Sequence, residues 1–125
     1  MPKIAKDDIK EVVSLEGYEG RLSQLGKYTV AFETYTADAD LTPLFRGLPD
    51  DRCQCPHWGI VLKGSVTFRT ADGEMTVTAG EAYYAPPGHL TLLHAGTEVI
   101  EFSPTHELNE TFAVIEQNLA ASTSH

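Results

Sequence analysis

Ser65-Val66-Thr67-Phe68-Arg69-Thr70-Ala71-Asp72-Gly73-Glu74-Met75-Thr76-Val77-Thr78 is the stretch whose reading decides the fold. Two runs rich in β-branched and aromatic residues flank Asp-Gly, the favoured pair for a two-residue type I′ turn. Centring the turn on Asp72-Gly73 predicts that Thr70 faces Met75, Phe68 faces Val77 and Val66 faces Ala79. Arg69 with Thr76 and Thr67 with Thr78 then make up the other side. One apolar and one polar face is what a half-buried antiparallel hairpin requires.

The pattern continues on both sides of this hairpin. Upstream runs Cys53-Gln54-Cys55-Pro56-His57-Trp58-Gly59-Ile60-Val61-Leu62-Lys63-Gly64. Read as a strand, it puts Cys53, Cys55, His57, Gly59 and Val61 on one side and Pro56, Trp58, Ile60 and Leu62 on the other. Farther back, Lys27 to Thr36 reads as another strand, with Tyr28, Val30, Phe32 and Thr34 opposite Thr29, Ala31, Glu33 and Tyr35. Gly17, Gly20 and Gly26 mark a loop-rich stretch. Before it, Asp7, Asp8, Ile9, Val12 and Val13 suit either a short helical turn or an extended arm.

Downstream, Gly80 to Ala85 is a short strand stopped by Pro86-Pro87-Gly88, because proline cannot donate to a ladder. Leu90 to His94 and Glu98 to Phe102 are two more strands. From Pro104 the period lengthens: Leu108, Phe112, Ile115 and Leu119 recur at helical spacing, with Ser103 as the cap and Pro104 as the first helical residue. The tail from Ala121 is expected to fray. Short strands between glycine and proline turns indicate an all-β fold, a small antiparallel barrel or sandwich with one C-terminal helix. The expected organisation is an N-terminal arm and loop over 1–25, the barrel over 26–104, and the helix and tail over 105–125.

A chain of 125 residues, 42% hydrophobic and 22% charged, suits one soluble domain. No run has the length of a membrane span or a signal-peptide core, so the expected compartment is the cytoplasm. Two cysteines two residues apart make no disulfide framework and are expected to be reduced. A formal charge of −9 argues against nucleic acid and anionic membranes as partners.

Residues Cys53 to Phe102 resemble the cupin superfamily, whose barrel (a jelly-roll-like fold) is built from two motifs flanking a hairpin. The second motif's skeleton is glycine, five residues, then proline-x-glycine, and here it reads Gly80, Glu81 to Ala85, Pro86-Pro87-Gly88. The first motif ends in glutamate, six residues, glycine; here six residues separate His57 from Gly64. Where the family has histidine-x-histidine, this chain has Asp51-Arg52-Cys53 or Cys53-Gln54-Cys55. Where the second motif's histidine usually lies, it has Thr91, and His89 follows the glycine directly. The resemblance implies that His57 and His89 come from neighbouring strands into one pocket.

Imidazole and thiolate are ligands for zinc, iron or nickel rather than for hard ions. The candidate metal set is His57 and His89 with Cys53, Cys55 or Asp51 as a third ligand. Binding should then weaken as pH falls through the imidazole range. The competing interpretation makes both cysteines small buried hydrophobes and His57 a donor to a backbone carbonyl. Among other residues, one of Tyr83 and Tyr84 must face inward, while Glu33, His94 and His106 are expected to face solvent. Trp58, Ile60 and Leu62 form an apolar outer face that a homodimer would cover. Two functions follow: a small-molecule-binding cupin with or without a divalent metal, or a metal-dependent enzyme of oxygenase, isomerase or lyase type. No catalytic base is identifiable from the sequence.

Overall fold

Strands dominate the computed structural model, which describes residues 2–123. In chain order they are β1 (Val12–Leu15), β2 (Tyr18–Leu25), β3 (Tyr28–Tyr35), β4 (Ala39–Asp40) and β5 (His57–Lys63). After them come β6 (Ser65–Thr70), β7 (Gly73–Thr78), β8 (Ala82–Ala85), β9 (Leu90–Leu93) and β10 (Thr97–Pro104). One helix, α1 (Thr105–Thr123), ends the described chain. A six-stranded sheet in the order β1-β2-β3-β10-β5-β8 faces a four-stranded sheet in the order β4-β9-β6-β7. Every pairing is antiparallel. This is the barrel with one C-terminal helix expected from the sequence. That helix is not long and apolar enough to cross a membrane.

Apolar residues from both sheets meet between them, among them Val61, Val66, Phe68, Val77, Leu93 and Val99. A second cluster closes one end, where Leu108 and Ile115 of α1 pack on Leu22, Ala31, Phe45, Cys53 and Cys55. The helical spacing read from Leu108 to Leu119 therefore marks the face that seals the barrel.

Four local expectations change. The glycine-punctuated stretch within residues 1–25 holds two strands, with β2 paired to β3 over its whole length. The hairpin turns on Ala71-Asp72, one residue early, so Phe68 faces Met75, Val66 faces Val77, and Thr67 faces Thr76. A type I′ turn needs positive φ at both central residues. Asp72 does not adopt it, and Gly73 alone does, at 139°. The partners move by two residues, which leaves every side chain on its expected face. Arg69 meets Glu74 at 2.7 Å and the Thr67 and Thr76 hydroxyls meet at 2.9 Å, contacts the new register creates.

Ser103 does not cap the helix: β10 runs through Pro104, and Ser103 is buried inside the barrel. Finally, the tail expected to fray from Ala121 continues α1 through Thr123, and Ser124 and His125 lie outside the described residues.

The outer face of the six-stranded sheet is strongly apolar. Tyr84, Trp58 and Phe102 stand side by side across β8, β5 and β10, with Ile60 beside Ile100 in the next row. Trp58 contacts Tyr84 and Tyr28 with ring centroids 5.1 and 5.8 Å away. Tyr84, Trp58, Phe102, Ile60 and Tyr28 remain substantially exposed, as does Leu62.

Gly64 joins β5 to β6 at φ +78°, and a Cβ there would lie 2.9 Å from Thr97 Cα. Gly26 has φ +63° with open space around it. Gly26→Ala should therefore cost only the left-handed backbone term, about 1–2 kcal/mol. Gly64→Ala adds the overlap with β10 and should cost about 1–3 kcal/mol more. Equal urea midpoints for the two variants would refute this account of the Gly64 corner.

Candidate functional site

His57 opens β5 on its inward face, as the alternation required, and is buried. His89 arrives from the far side of the proline turn. An isolated bridge joins it to Cys53, whose backbone N–H donates to the His89 carbonyl at 2.9 Å. The turn and the bridge together bring three side chains to one point. The ligand atoms of Cys53, His57 and His89 lie within 4.8 Å of one another. Cys53 Sγ stands 3.7 Å from His57 Nε2, and the two imidazole rings meet edge to face at 5.0 Å.

The other two candidates lie elsewhere. Cys55 is fully buried, but it packs under α1 and its thiol donates to the Pro56 carbonyl at 3.5 Å. Asp51 is exposed and accepts a hydrogen bond from the Gly47 N–H at 2.9 Å.

Each imidazole is held by its other nitrogen. His89 Nδ1 donates to the Pro86 carbonyl at 2.7 Å, which leaves Nε2 as a bare lone pair. That Nε2 is buried and has no hydrogen-bond partner. His57 Nδ1 lies 3.1 Å from Glu101 Oε1 and 2.7 Å from Ser103 Oγ, so its Nε2 too presents a lone pair, toward Cys53. Two imidazole lone pairs and a thiol converge with no cation between them; the Cys53 S–H is a weak donor 3.7 Å from His57 Nε2, and His89 Nε2 has none. Burial lowers both imidazoles to about 4, and it outweighs the Glu101 carboxylate beside His57. Burial also pushes the Cys53 thiol up to about 12.

Behind this cluster stand two carboxyls, one that the sequence reading did not single out and one that it placed on the surface. Glu101, on β10, accepts a hydrogen bond from the Tyr83 hydroxyl. Glu33, expected to be exposed, points inward from β3 and accepts from the Tyr18 hydroxyl. A glycine faces each of them across the ladder: Gly20 opposite Glu33 and Gly59 opposite Glu101. A Cβ on either glycine would come within 2.5 Å of the tyrosine hydroxyl. The glycines therefore leave the room in which the two tyrosine rings lie.

Burial raises Glu101 to about 7, with the Tyr83 hydrogen bond and His89 opposing. Burial first, and then the Glu101 charge, hold Glu33 well above the ordinary carboxylate range. Tyr83 is the inward member of its pair and Tyr84 the outward one. His94 and His106 stay away from the site. His94 is half-buried and bonds Thr67 at 2.9 Å, and His106 is exposed beside Glu110.

Alternation alone could not have found Glu101. Its strand offers Val99, Glu101 and Ser103 on one face and Glu98, Ile100 and Phe102 on the other, and the second set is the more apolar. A cavity of about 80 Å³ joins these groups, lined by Glu33, Tyr35, Cys53, His57, His89 and Glu101 and closed by apolar residues of α1 and of the segment around Phe45.

Four buried groups set the pH dependence of stability. His57 and His89 titrate near 4 when folded against an ordinary 6.5, so between those values the unfolded chain binds more protons and stability rises with pH. Glu33 and Glu101 titrate above their ordinary 4.5, so there the folded chain holds the extra protons and stability falls with pH. The two pairs oppose each other above 4.5, and urea unfolding of chelator-treated protein should show a flatter dependence of stability on pH than the two histidines alone would give. Glu33→Gln removes one opposing carboxyl and should make stability rise more steeply with pH there. A variant profile as flat as wild type would contradict the burial assigned to Glu33.

No protein-family model matches the sequence, and no curated protein matches it. Solved structures do. An ectoine synthase from P. lautus shares 10% identity at a TM-score of 0.60, covering 83% of this chain and 78% of that one. An RmlC-like cupin from Shewanella frigidimarina shares 13% at 0.57, covering 81% and 88%. The Fe(II) form of HppE shares 11% at 0.56, covering 82% of this chain and 60% of the other. These likenesses establish the fold, a cupin barrel.

Proposed function

We propose that this cupin barrel binds a small organic ligand in its cavity beside a divalent transition-metal ion held by Cys53 Sγ, His57 Nε2 and His89 Nε2. The observation that carries the reading is the buried, unpartnered Nε2 of His89, which shares its space with a second lone pair and a thiol. A buried acceptor without a donor costs about 1–3 kcal/mol, and coordination removes that cost. Thiolate with two imidazoles suits zinc, iron or nickel. The Fe(II) form of HppE, which shares the fold, supports an ion in such a barrel. The Glu101 carboxylate would act through His57, fixing the ring and raising the basicity of its Nε2. Three protein ligands leave a position open to the cavity, where an ion supplies a Lewis-acid contact to a ligand oxygen or nitrogen.

A second reading, a metal-dependent enzyme, is favoured by Glu33. It is a cavity carboxyl with raised proton affinity, the type of group a general base requires. Two free buried thiols fit a reducing, cytoplasmic setting, and the acidic chain is read as having no nucleic-acid partner.

Titration with zinc, iron and nickel should give one site per chain. His57→Ala and Cys53→Ser should abolish it, while Cys55→Ser and His106→Ala retain it. Both imidazoles are already neutral above about 4 and Glu101 titrates at about 7, so above pH 7 the remaining pH dependence should come from the Cys53 thiol, which titrates at about 12. One proton should be released per ion, and affinity should rise about tenfold per pH unit. A wild-type site unaffected by His57→Ala would remove the proposal.

We also propose a two-fold homodimer formed through the outer face of the six-stranded sheet. Trp58, Ile60, Leu62, Tyr84, Phe102 and Tyr28 are each 38–53% exposed. Together they present on the order of 500 Å² of apolar surface, near the upper end for a monomer. The occupant argued for is a second copy, because a flat sheet face packs on its own twin. A stable contact needs about 800 Å² from each partner, so the rim around the patch would have to take part. Sedimentation should show a dimer at micromolar concentration and a monomer for Trp58→Asp. A monomeric wild type at high micromolar concentration would overturn the assembly.

A further inference from the structure

The cavity is enclosed by walls of unequal thickness. Among the residues that line it, Leu15 on β1, Leu41 and Leu44 on the segment after β4, and Phe112 on α1 are only half-buried, and the others are buried. Leu15, Leu41 and Leu44 also line a separate groove on the outer surface, together with Ala39, Pro43 and Leu119. The same side chains thus border the cavity on one side and the groove on the other. Here a single layer of leucine separates the interior from solvent.

The segment that carries two of these leucines is a strap from β4 to Cys53, and it is sparsely attached. At its start the Leu41 N–H donates to the Thr91 carbonyl at 3.1 Å, and at its end the Cys53 N–H donates to His89. In between, its backbone bonds are local turns: the N–H of Leu44 to Leu41, Leu48 to Phe45, Asp51 to Leu48 and Arg52 to Pro49. Such bonds travel with the strap when it moves. Among the described residues, one side chain ties the backbone of its middle to α1 or to either sheet. Asn118 Nδ2 donates to the Leu44 carbonyl at 2.7 Å and to the Arg46 carbonyl at 2.9 Å. Toward Cys53, Asp50 and Asp51 hold left-handed backbone at φ 56° and 55°, a conformation that residues with a Cβ keep only where their surroundings impose it.

Other exits from the cavity are better fastened. Passage through either sheet breaks ladder hydrogen bonds, and α1 is seated by Leu108 and Ile115, both buried. A short segment with few tertiary hydrogen bonds is where local opening is easiest. Phe45 is the strap's buried anchor, which leaves Leu41 to Leu44 as the part free to lift.

We propose that ligands enter and leave the cavity between Leu15 and the strap, at Leu41 and Leu44, and that Asn118 is the latch that holds this entrance shut. The inference deepens the ligand-binding reading and rests on it for what passes through, but it needs no metal ion. Asn118 does not line the cavity, so it is a positioning residue. Its loss should speed exchange and leave the chemistry of the cavity as it was.

Alkylation of the full, metal-free chain by iodoacetamide tests the route, with each modified cysteine identified by peptide mass. Cys53 lines the cavity, whereas Cys55 packs under α1 without lining it and serves as the gauge of global unfolding. Asn118→Ala removes both latch bonds and should raise the Cys53 rate, relative to the Cys55 rate, about fivefold. Leu44→Ala thins the wall and should shift the ratio in the same direction. Gly26→Ala, which destabilises the chain outside the strap, should speed Cys55 and leave Cys53 unchanged. An Asn118→Ala protein with the wild-type ratio overturns the entrance, as does the absence of Cys53 modification in every protein. So does a Gly26→Ala protein in which both cysteines speed up equally, because the reagent then enters by unfolding. Zinc uptake, measured separately, keeps the two readings apart. A chain that takes up no zinc yet opens in Asn118→Ala loses the metal site and keeps the entrance.

Discussion

Two carboxylic acids inside a 125-residue barrel are the constraint around which the rest of the structure is arranged. An acid taken from water into an apolar interior must find donors or give up its charge. Glu33 and Glu101 are both inward on neighbouring strands, and each receives a tyrosine hydroxyl. The donors can reach them only because Gly20 and Gly59 stand directly opposite. The same device occurs on both sides of the β3–β10 pair, with the tyrosine taken from β2 in one case and β8 in the other.

From Glu101 the constraint passes to the histidines. The carboxylate and Ser103 hold His57 by Nδ1, and the Pro86 carbonyl holds His89 by Nδ1. With both imidazoles neutral, these contacts fix which nitrogen keeps its proton and turn both Nε2 atoms to Cys53. The site is therefore preorganised by acceptors on the outer nitrogens, the arrangement that orients histidine ligands in metal proteins. The cost is an unpartnered buried nitrogen, which a ligand would relieve.

The six-stranded sheet is unusual in where it keeps its apolar surface. Inside β3 and β10 lie Glu33, Glu101 and Ser103; outside lie Tyr28, Phe102 and, on β5, Trp58 and Ile60. The interior beneath α1 is correspondingly polar at one end and apolar at the other. The outer face trades exposed aromatic surface for that interior.

The sequence by itself determined the elements built on strict local rules. Alternation placed His57 and Val61 inward and Trp58, Ile60 and Leu62 outward, because a strand has no other way to arrange successive side chains; the strand begins only at His57, so Cys53 and Cys55 lie ahead of it. Pro86-Pro87-Gly88 ended a strand, and the spacing of Leu108, Phe112, Ile115 and Leu119 gave the packing face of the helix. The hairpin faces were legible although its register was not, since a shift of two residues changes partners but not sides. Burial of Glu33 and Glu101 was decided only in the tertiary structure, because local hydrophobicity favours the opposite face of their strands. It takes Tyr18, Tyr83 and two glycines from other strands to make an inward acid tolerable. The separation of Cys53 from Cys55 was decided there as well. Both are buried, but only Cys53 is bridged to His89, and that long-range pairing is what turns one cysteine toward the histidines and leaves the other under the helix.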